Sequence, residues 1–207
     1  IDAYLRVVRL APKDGDSALQ LARLHEWTER PNQAFDYYLI ALERGADEAI
    51  ERLIELNPAV LRDVELFAAL EGAGNRVDQK EYGLTLARLA ANLSDFKKAS
   101  AYYEGILARE PNNQDVLQEY GLMMLDIGNH EEAIRTYSRA IASGTPDFSA
   151  LVSIAEAQFR AGRFEPALKT YADLLKLNPT RSQMGNYLRL AESMGRIKEA
   201  TEVLASF

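Results

Sequence analysis

Four alanines recur along the chain at an almost constant interval. Ala99, Ala133, Ala167 and Ala200 are separated by 34, 34 and 33 residues, and Ala34 begins a further copy of the same pattern. A period of this length is typical of a solenoid, in which each supersecondary unit packs on the next. This spacing limits the possible folds of the 207-residue chain more than any other feature of its sequence.

Each period contains the pattern of two helices. In residues 114–147, Leu117, Tyr120 and Met124 recur at helical spacing, and Gly128 ends that helix. A second helix follows within the same period. The sequence therefore predicts a repeated pair of antiparallel helices.

The second helix of that period places small residues around one large residue. It carries Ala133, Tyr137 and Ala140, three and four residues apart, and we predict that it ends at Gly144. Small residues at Gly121, Ala133 and Ala140 would let the two helices approach closely, while Tyr137 would fill the space beside them. These residues are therefore predicted to serve packing.

This arrangement of small and large residues resembles the tetratricopeptide repeat, a helix–turn–helix of 34 residues. The resemblance implies an all-α fold, a right-handed α-solenoid of antiparallel helix pairs. It predicts full repeats at 15–48, 80–113, 114–147 and 148–180, the end of a preceding repeat at 1–14, a degenerate helical pair at 49–79 and a truncated repeat at 181–207.

Residues 49–79 depart from the pattern, because the small and large positions no longer match. We predict a helical pair that is broken at Asn57-Pro58 and closed by residues 71–75. Either a locally altered superhelix or a joint between two arrays would follow.

Both ends of the chain fall inside a repeat. Pro12 takes the place of the proline that ends a repeat, and Phe207 lies within the last copy. Terminal repeats normally carry a polar cap, which we do not find here. We therefore expect the chain to be a part of a longer array.

Composition narrows the possible partners. The net charge of −7 argues against nucleic acid, because binding to phosphates needs a basic surface. No apolar run is long enough to cross a bilayer, so we expect no membrane contact. The absence of cysteine excludes disulfides and cysteine zinc sites, and leaves cytosol and periplasm equally open.

The sequence contains no constellation that predicts catalysis. His25 and His130 both fall at positions where the repeat normally has packing residues, so we interpret them as structural. No phosphate-binding loop is recognisable either. We predict a non-catalytic protein with no catalytic residue, no cofactor and no metal.

The usable surface of such an array is the groove lined by the first helix of each repeat. Asp115, Asp126 and Glu156, with Phe159 beside them, could receive a cationic segment or an amino sugar, or could be an ordinary solvated face. Trp27 could stack on a ligand or cover the turn at Pro31. The predicted groove residues are Asp16, Arg23, Glu26, Trp27, Arg88, Asp115, Gln118, Asp126, Glu156, Phe159, Arg160 and Arg189.

A second resemblance concerns residues 21–75, which are similar to the superhelical part of the Pel exopolysaccharide export family. It implies a periplasmic scaffold that docks a polysaccharide deacetylase or hydrolase. Such a scaffold would also guide a partly cationic polysaccharide towards an outer-membrane β-barrel. The alternative is a cytosolic adaptor that binds a peptide or protein partner.

Overall fold

The computed structural model describes Tyr4, Arg6 and residues 14–142, 148–178 and 180–206. Over these residues it contains twelve α-helices, one short 3-10 helix and no β-strand. The chain divides into two compact units, Ile1–Ile106 and Leu107–Phe207, which we call the N-terminal and C-terminal units. The all-α fold class predicted from the sequence is confirmed.

The N-terminal unit is built from antiparallel neighbours in chain order, with α2 packed against α1, α3 and α4. Its helices are α1 (Gly15–Trp27), α2 (Pro31–Glu43), α3 (Ala49–Val60), α4 (Asp63–Ala73), α5 (Gln79–Asn92) and α6 (Phe96–Arg109), with the 3-10 helix at Gly74–Arg76; the unit boundary falls within α6.

The C-terminal unit continues the same alternation, and each of its helices packs against the next. Its helices are α7 (Gln114–Asp126), α8 (His130–Ala142), α9 (Phe148–Arg160), α10 (Phe164–Leu177), α11 (Arg181–Ser193) and α12 (Ile197–Leu204). Ala155, Ala167, Leu174 and Ala191 are fully buried in its core, between α9, α10 and α11.

A residue in the left-handed conformation recurs in the turn that follows the first helix of each pair. Such turns reverse the chain after a helix, and glycine adopts them without strain. These residues occur at intervals of about 33 residues, the length of one repeat. They are Glu29, Leu61, Ser94, Gly128, Gly162 and Gly195, with φ between 56° and 78°.

The predicted close approach around Tyr137 is confirmed at Gly121. A Cβ atom built on Gly121 would lie 2.7 Å from both Cε1 and Cζ of the Tyr137 ring. Ala133 and Ala140 are both buried on α8. The ring therefore occupies the space that the missing side chain at Gly121 leaves open.

The prediction that residues 49–79 break at Asn57-Pro58 is wrong. Helix α3 continues through Pro58 to Val60, and the chain turns at Leu61. The Asn57 side chain supports this turn, because its Oδ1 accepts a hydrogen bond from the Arg62 backbone N–H at 3.1 Å and its Nδ2 donates to Asp63 at 2.6 Å. The helix thus ends two residues after Pro58, at the turn that Asn57 supports.

Residues 49–79 also do not form the boundary between the two units, which lies in α6. They form α3 and α4 inside the N-terminal unit, and α4 ends before Gly74, whose φ is 57°. Three further sequence predictions, the helix end at Gly144 and the placements of Pro12 and Phe207, lie outside the described residues.

Candidate functional site

A cavity of about 430 Å³ opens on the first-helix side of the C-terminal unit. Helix α9 supplies one wall and α11 the other, and Tyr171 of α10 lies between them. We call this cavity the Tyr171 pocket. Its lining residues are Val152, Glu156, Phe159, Tyr171, Asn186, Arg189, Leu190 and Ser193.

Helical spacing explains why these side chains converge. Val152, Glu156 and Phe159 are four and three residues apart on α9, so they share one helix face. Asn186 and Arg189 are three residues apart on α11. The pocket is therefore built from one stripe on each of two first helices.

One acidic and one basic residue line the pocket, and each has a neighbour on its own helix. Glu156 accepts a hydrogen bond from Arg160 at 2.5 Å. The Arg189 guanidinium donates to the Asn186 side-chain oxygen. The formal charges of Glu156 and Arg189 cancel within the lining, although each keeps its own field at short range.

Tyr171 is the most buried polar side chain in the pocket, with 8% of its surface exposed. Burial raises the pKa of its hydroxyl, the carboxylate of Glu156 raises it further, and Arg189 opposes this effect. Both charged groups of the pocket therefore act on the hydroxyl of Tyr171. Within the described part of the chain, this hydroxyl makes no hydrogen bond.

Phe159 gives the pocket an exposed apolar wall. Its side chain is 47% exposed, and its ring lies 5.8 Å from that of Phe164 at the start of α10. A large apolar side chain left in solvent beside a cavity is a common feature of interaction surfaces.

The predicted carboxylate cluster of Asp115, Asp126 and Glu156 is not a single site. Asp115 lies in the first turn of α7 and Asp126 is its last residue, which separates them by about 16 Å along the helix. Asp126 and Glu156 do share a neighbour, since both raise the pKa of the Tyr137 hydroxyl. The structure therefore relates two of the three carboxylates.

Two predicted groove residues of the N-terminal unit are bound to their neighbours. Glu26 accepts a hydrogen bond from the Tyr38 hydroxyl at 2.7 Å and forms an ion pair with Arg52. Arg23 forms an ion pair with Glu48 at 2.9 Å. Glu26 therefore serves the contact between helices, which the sequence prediction had missed.

The other predicted groove residues remain near the surface. Asp16, Arg88 and Trp27 are exposed, and 83% of the Trp27 surface is open to solvent. The Gln118 side chain of α7 donates a hydrogen bond to Ser149 of α9 at 3.0 Å. Only Glu156, Phe159 and Arg189 from the predicted set line the Tyr171 pocket, with Arg160 paired to one of them.

Both histidines have an enclosed ring nitrogen. His25 is buried and stacks on Tyr37 at 5.2 Å between ring centroids. The Nδ1 atoms of His25 and His130 have no hydrogen-bond partner among the described residues. Burial lowers the pKa of His25, because a charged imidazolium loses its hydration there.

A second cavity, of about 460 Å³, lies between α2 and α4 in the N-terminal unit. Leu39, Leu42 and four small residues of α4 supply most of its wall, and two of its charged residues have partners elsewhere. Glu65 pairs with Arg62 at 3.1 Å, and Arg76 pairs with Asp47 at 2.6 Å. This cavity is therefore lined mostly by apolar side chains and has few polar groups that could bind a ligand.

No group of three or more His, Cys, Asp or Glu residues in the described ranges could hold a metal ion. None of the described helices is both long enough and apolar enough to pass through a membrane.

Sequence reasoning missed five residues of the pocket. Tyr171 repeats the position of Tyr137, four residues after a buried alanine, and that position predicts packing. A signal was available in the first helices, where Ser153 is replaced by Asn186 in the next repeat and is followed by Arg189. The missed residues are Val152, Tyr171, Asn186, Leu190 and Ser193.

Comparison with known proteins identifies the repeat. The family model described as tetratricopeptide repeat matches residues 84–148 and 125–182. Tetratricopeptide repeat protein 8 of Caenorhabditis elegans is 21% identical over 181 residues, which are 87% of this chain and 32% of that protein. The chain thus spans about a third of the length of this relative.

Solved structures show the same fold at low sequence identity. YrrB, described as a TPR protein with an unusual peptide-binding site, has a TM-score of 0.61 and 16% identity, over 87% of this chain and 95% of its own. A tetratricopeptide repeat protein from Parabacteroides merdae also scores 0.61, at 14% identity, over 93% of this chain and 78% of its own.

A further match is the structure of Naa15/Naa10 bound to HypK, with a TM-score of 0.73 and 13% identity over 91% of this chain and 30% of that one. Together with the repeated helix pairs and the family match over residues 84–182, these likenesses show that the chain has the tetratricopeptide-repeat fold.

Proposed function

We propose that the C-terminal unit binds an extended segment of a protein partner in the Tyr171 pocket. The observation that carries this proposal is the convergence of polar and apolar residues from two consecutive first helices on one open cavity of about 430 Å³. Sites of this kind bind ligands by apolar contact and use a few polar groups to fix orientation.

The residues of the pocket suit a peptide. Val152, Phe159 and Leu190 offer apolar surface for a side chain, while Asn186 and Ser193 offer hydrogen-bonding groups for a backbone. The description of YrrB as a protein with a peptide-binding site adds support, because that protein shares the fold.

Selection of peptides against the whole chain tests this proposal. A random peptide library would be selected on the wild-type protein, and the affinities of the enriched peptides would be measured by calorimetry. We expect Phe159→Ala to weaken binding by about tenfold or more, because it removes an apolar wall of the pocket.

Leu177→Ala is the matched control. Leu177 is the last residue of α10, is 56% exposed and lies outside the pocket. Its replacement should leave the peptide affinity unchanged. Equal losses for Phe159→Ala and Leu177→Ala, or a failure to enrich any peptide, would contradict the proposal.

A finer proposal concerns the partner. On the resemblance of residues 21–75 to Pel export proteins, the partner would be a polysaccharide deacetylase or hydrolase, and the compartment would be the periplasm. The net charge of −7 suits a partly cationic polymer. The comparisons above do not support this resemblance, and a cytosolic adaptor for a peptide or protein accounts for them equally well.

Binding of a cationic oligosaccharide distinguishes these alternatives. If the chain guides a polymer, a partly deacetylated amino-sugar oligomer should bind saturably, and Asp126→Lys should weaken that binding because Asp126 and Glu156 are carboxylates near the same tyrosine, Tyr137. Asp115→Lys, at the other end of α7, is the matched control. Peptide binding without oligosaccharide binding would favour the adaptor.

A further inference from the structure

Tyrosines occupy the eighth position of four second helices, α2, α6, α8 and α10, and the hydroxyls of Tyr38, Tyr137 and Tyr171 differ in what they bind. In α2, the Tyr38 hydroxyl donates to Glu26 at 2.7 Å. In α8, the Tyr137 hydroxyl has a side-chain hydrogen bond with Ser153. In α10, the Tyr171 hydroxyl has no hydrogen-bond partner among the described residues.

The neighbouring first helix explains this difference. Ser153 is the sixth residue of α9, and Asn186 is the sixth residue of α11. Asn186 could therefore occupy the role that Ser153 has for Tyr137, but its side-chain oxygen accepts from Arg189 instead. Tyr171 is thus a polar side chain more than nine-tenths buried, with its hydroxyl unpaired at the edge of a cavity.

Although the ring of Tyr171 is buried, its hydroxyl oxygen is not among the enclosed polar atoms without a partner, so a group that enters the pocket can satisfy it. The charges around Tyr171 restrict which ligand group does so. An ionic group that is attracted by Glu156 or Arg189 is repelled by the other, so the lining favours neither a cation nor an anion. A neutral amide avoids both penalties, because its carbonyl accepts and its N–H donates.

We propose that the Tyr171 hydroxyl anchors a backbone amide of an extended peptide in this pocket. The Tyr171 hydroxyl donates to the peptide carbonyl, and the Glu156 carboxylate, which has lone pairs beyond those used by Arg160, accepts from the peptide N–H. An extended segment has free amides to offer, whereas a helix has already paired its own. This inference rests on the proposed function and specifies the chemistry of its ligand.

Tyr171→Phe tests the anchor, since it removes the hydroxyl and keeps the ring. Using peptides selected on the wild-type chain, we expect this variant to bind about five- to tenfold more weakly. Its unfolding midpoint in urea should equal that of the wild type, because the hydroxyl makes no bond within the described chain. Tyr137→Phe, the matched control, should keep the wild-type affinity.

A second arm changes the peptide. Replacing the amide next to the anchoring apolar side chain by an ester removes its N–H, and wild-type affinity should fall while Glu156→Gln responds less to the same replacement. If Phe159→Ala weakens binding but Tyr171→Phe does not, the anchor is overturned and the proposed function stands. If no peptide binds, both fail, and a lowered unfolding midpoint for Tyr171→Phe would assign the hydroxyl to the fold.

Discussion

Tyr38 in the N-terminal unit and Tyr171 in the C-terminal unit occupy the same position of their helices. Of these two hydroxyls, only that of Tyr38 forms a hydrogen bond with another described residue. Its hydroxyl donates to Glu26, which Arg52 also binds. Burial and the Glu26 hydrogen bond raise the pKa of Tyr38 to about 12. Tyr171 has a similar apolar setting without such a partner.

The comparison shows that a repeat position does not by itself assign a role. The ring of each tyrosine packs between helices, which the repeat requires at every copy. Whether the hydroxyl forms a hydrogen bond depends on one or two residues of the neighbouring first helix, and these residues differ from repeat to repeat. Function can therefore arise where a packing residue is left with an unused polar group.

The two cavities differ in the same sense. The cavity between α2 and α4 is mostly apolar, and Glu65 and Arg76 at its edge are paired with other residues. The Tyr171 pocket combines apolar walls with an unpaired hydroxyl. Shape alone therefore does not distinguish a binding site in this protein, whereas polar groups left without a partner do.

The largest expected effect comes from disturbing the ring position itself. Gly121→Leu should destabilise the protein by about 3 kcal/mol, because its side chain would overlap the Tyr137 ring. Gly72→Leu is the control, since nothing lies within 4 Å of a Cβ at that position. Urea denaturation measures both, and equal losses would show that Tyr137 does not fill the space at Gly121.

The next largest effect concerns the hydrogen bond between Tyr38 and Glu26 in the N-terminal unit. Tyr38→Phe should cost about 2 kcal/mol of unfolding free energy, because it removes a hydrogen bond to a charged group. The same substitution at Tyr171 should change the unfolding free energy by less than about 0.5 kcal/mol. Equal losses of stability in the two variants would contradict the claim that only the Tyr38 hydroxyl stabilises the fold.

The loss of unfolding free energy for Tyr137→Phe should lie between those for Tyr38→Phe and Tyr171→Phe. Tyr137→Phe removes a hydrogen bond to the neutral hydroxyl of Ser153, so we expect a loss of about 1 kcal/mol. Ser153→Ala should give a similar loss, and the double variant should lose no more than either single variant. Additive losses in this cycle would show that the two hydroxyls are not bonded.

The smallest expected effect concerns pH in the N-terminal unit. The folded pKa of His25 lies below its ordinary value of 6.5, because burial disfavours the charged ring. Its contribution to stability is therefore complete above pH 6.5. As the pH falls below that value, the unfolded chain takes up a proton that the folded chain does not, so stability decreases until the folded pKa is passed.

His25→Phe should remove this part of the pH dependence. The unfolding free energies of wild type and variant would be compared at about pH 7.5 and about pH 5.5, where histidine is the main group to titrate. The wild type should lose more stability than the variant over this interval. An equal or larger loss in the variant would contradict the burial of a neutral His25.

The sequence was sufficient for the fold because packing repeats with the period. The alanines and the Gly121–Tyr137 pair follow from steric requirements that recur in every copy, so their spacing predicts them. The end of α3 was mispredicted because the turn at Leu61 is stabilised by hydrogen bonds of Asn57 to Arg62 and Asp63, which the repeat pattern does not show.

The site was less predictable, since it depends on pairings between helices that are distant in sequence. Glu26 has the spacing of a groove residue, but Tyr38 and Arg52 bind it from two other helices. Glu156, Phe159 and Arg189 were predicted from their repeat positions alone. Tyr171 was missed because its position predicts packing, and only its missing hydrogen-bond partner indicates more.

The most direct measurement of the central claim is an NMR titration of the chain labelled with ¹³C at the ζ carbon of tyrosine, with Tyr171→Phe used for assignment. This resonance responds to hydrogen bonding at the hydroxyl. On addition of a selected peptide, we predict that the Tyr171 signal shifts saturably while those of Tyr38 and Tyr137 stay in place. Saturable peptide binding that leaves the Tyr171 signal unmoved would contradict the account.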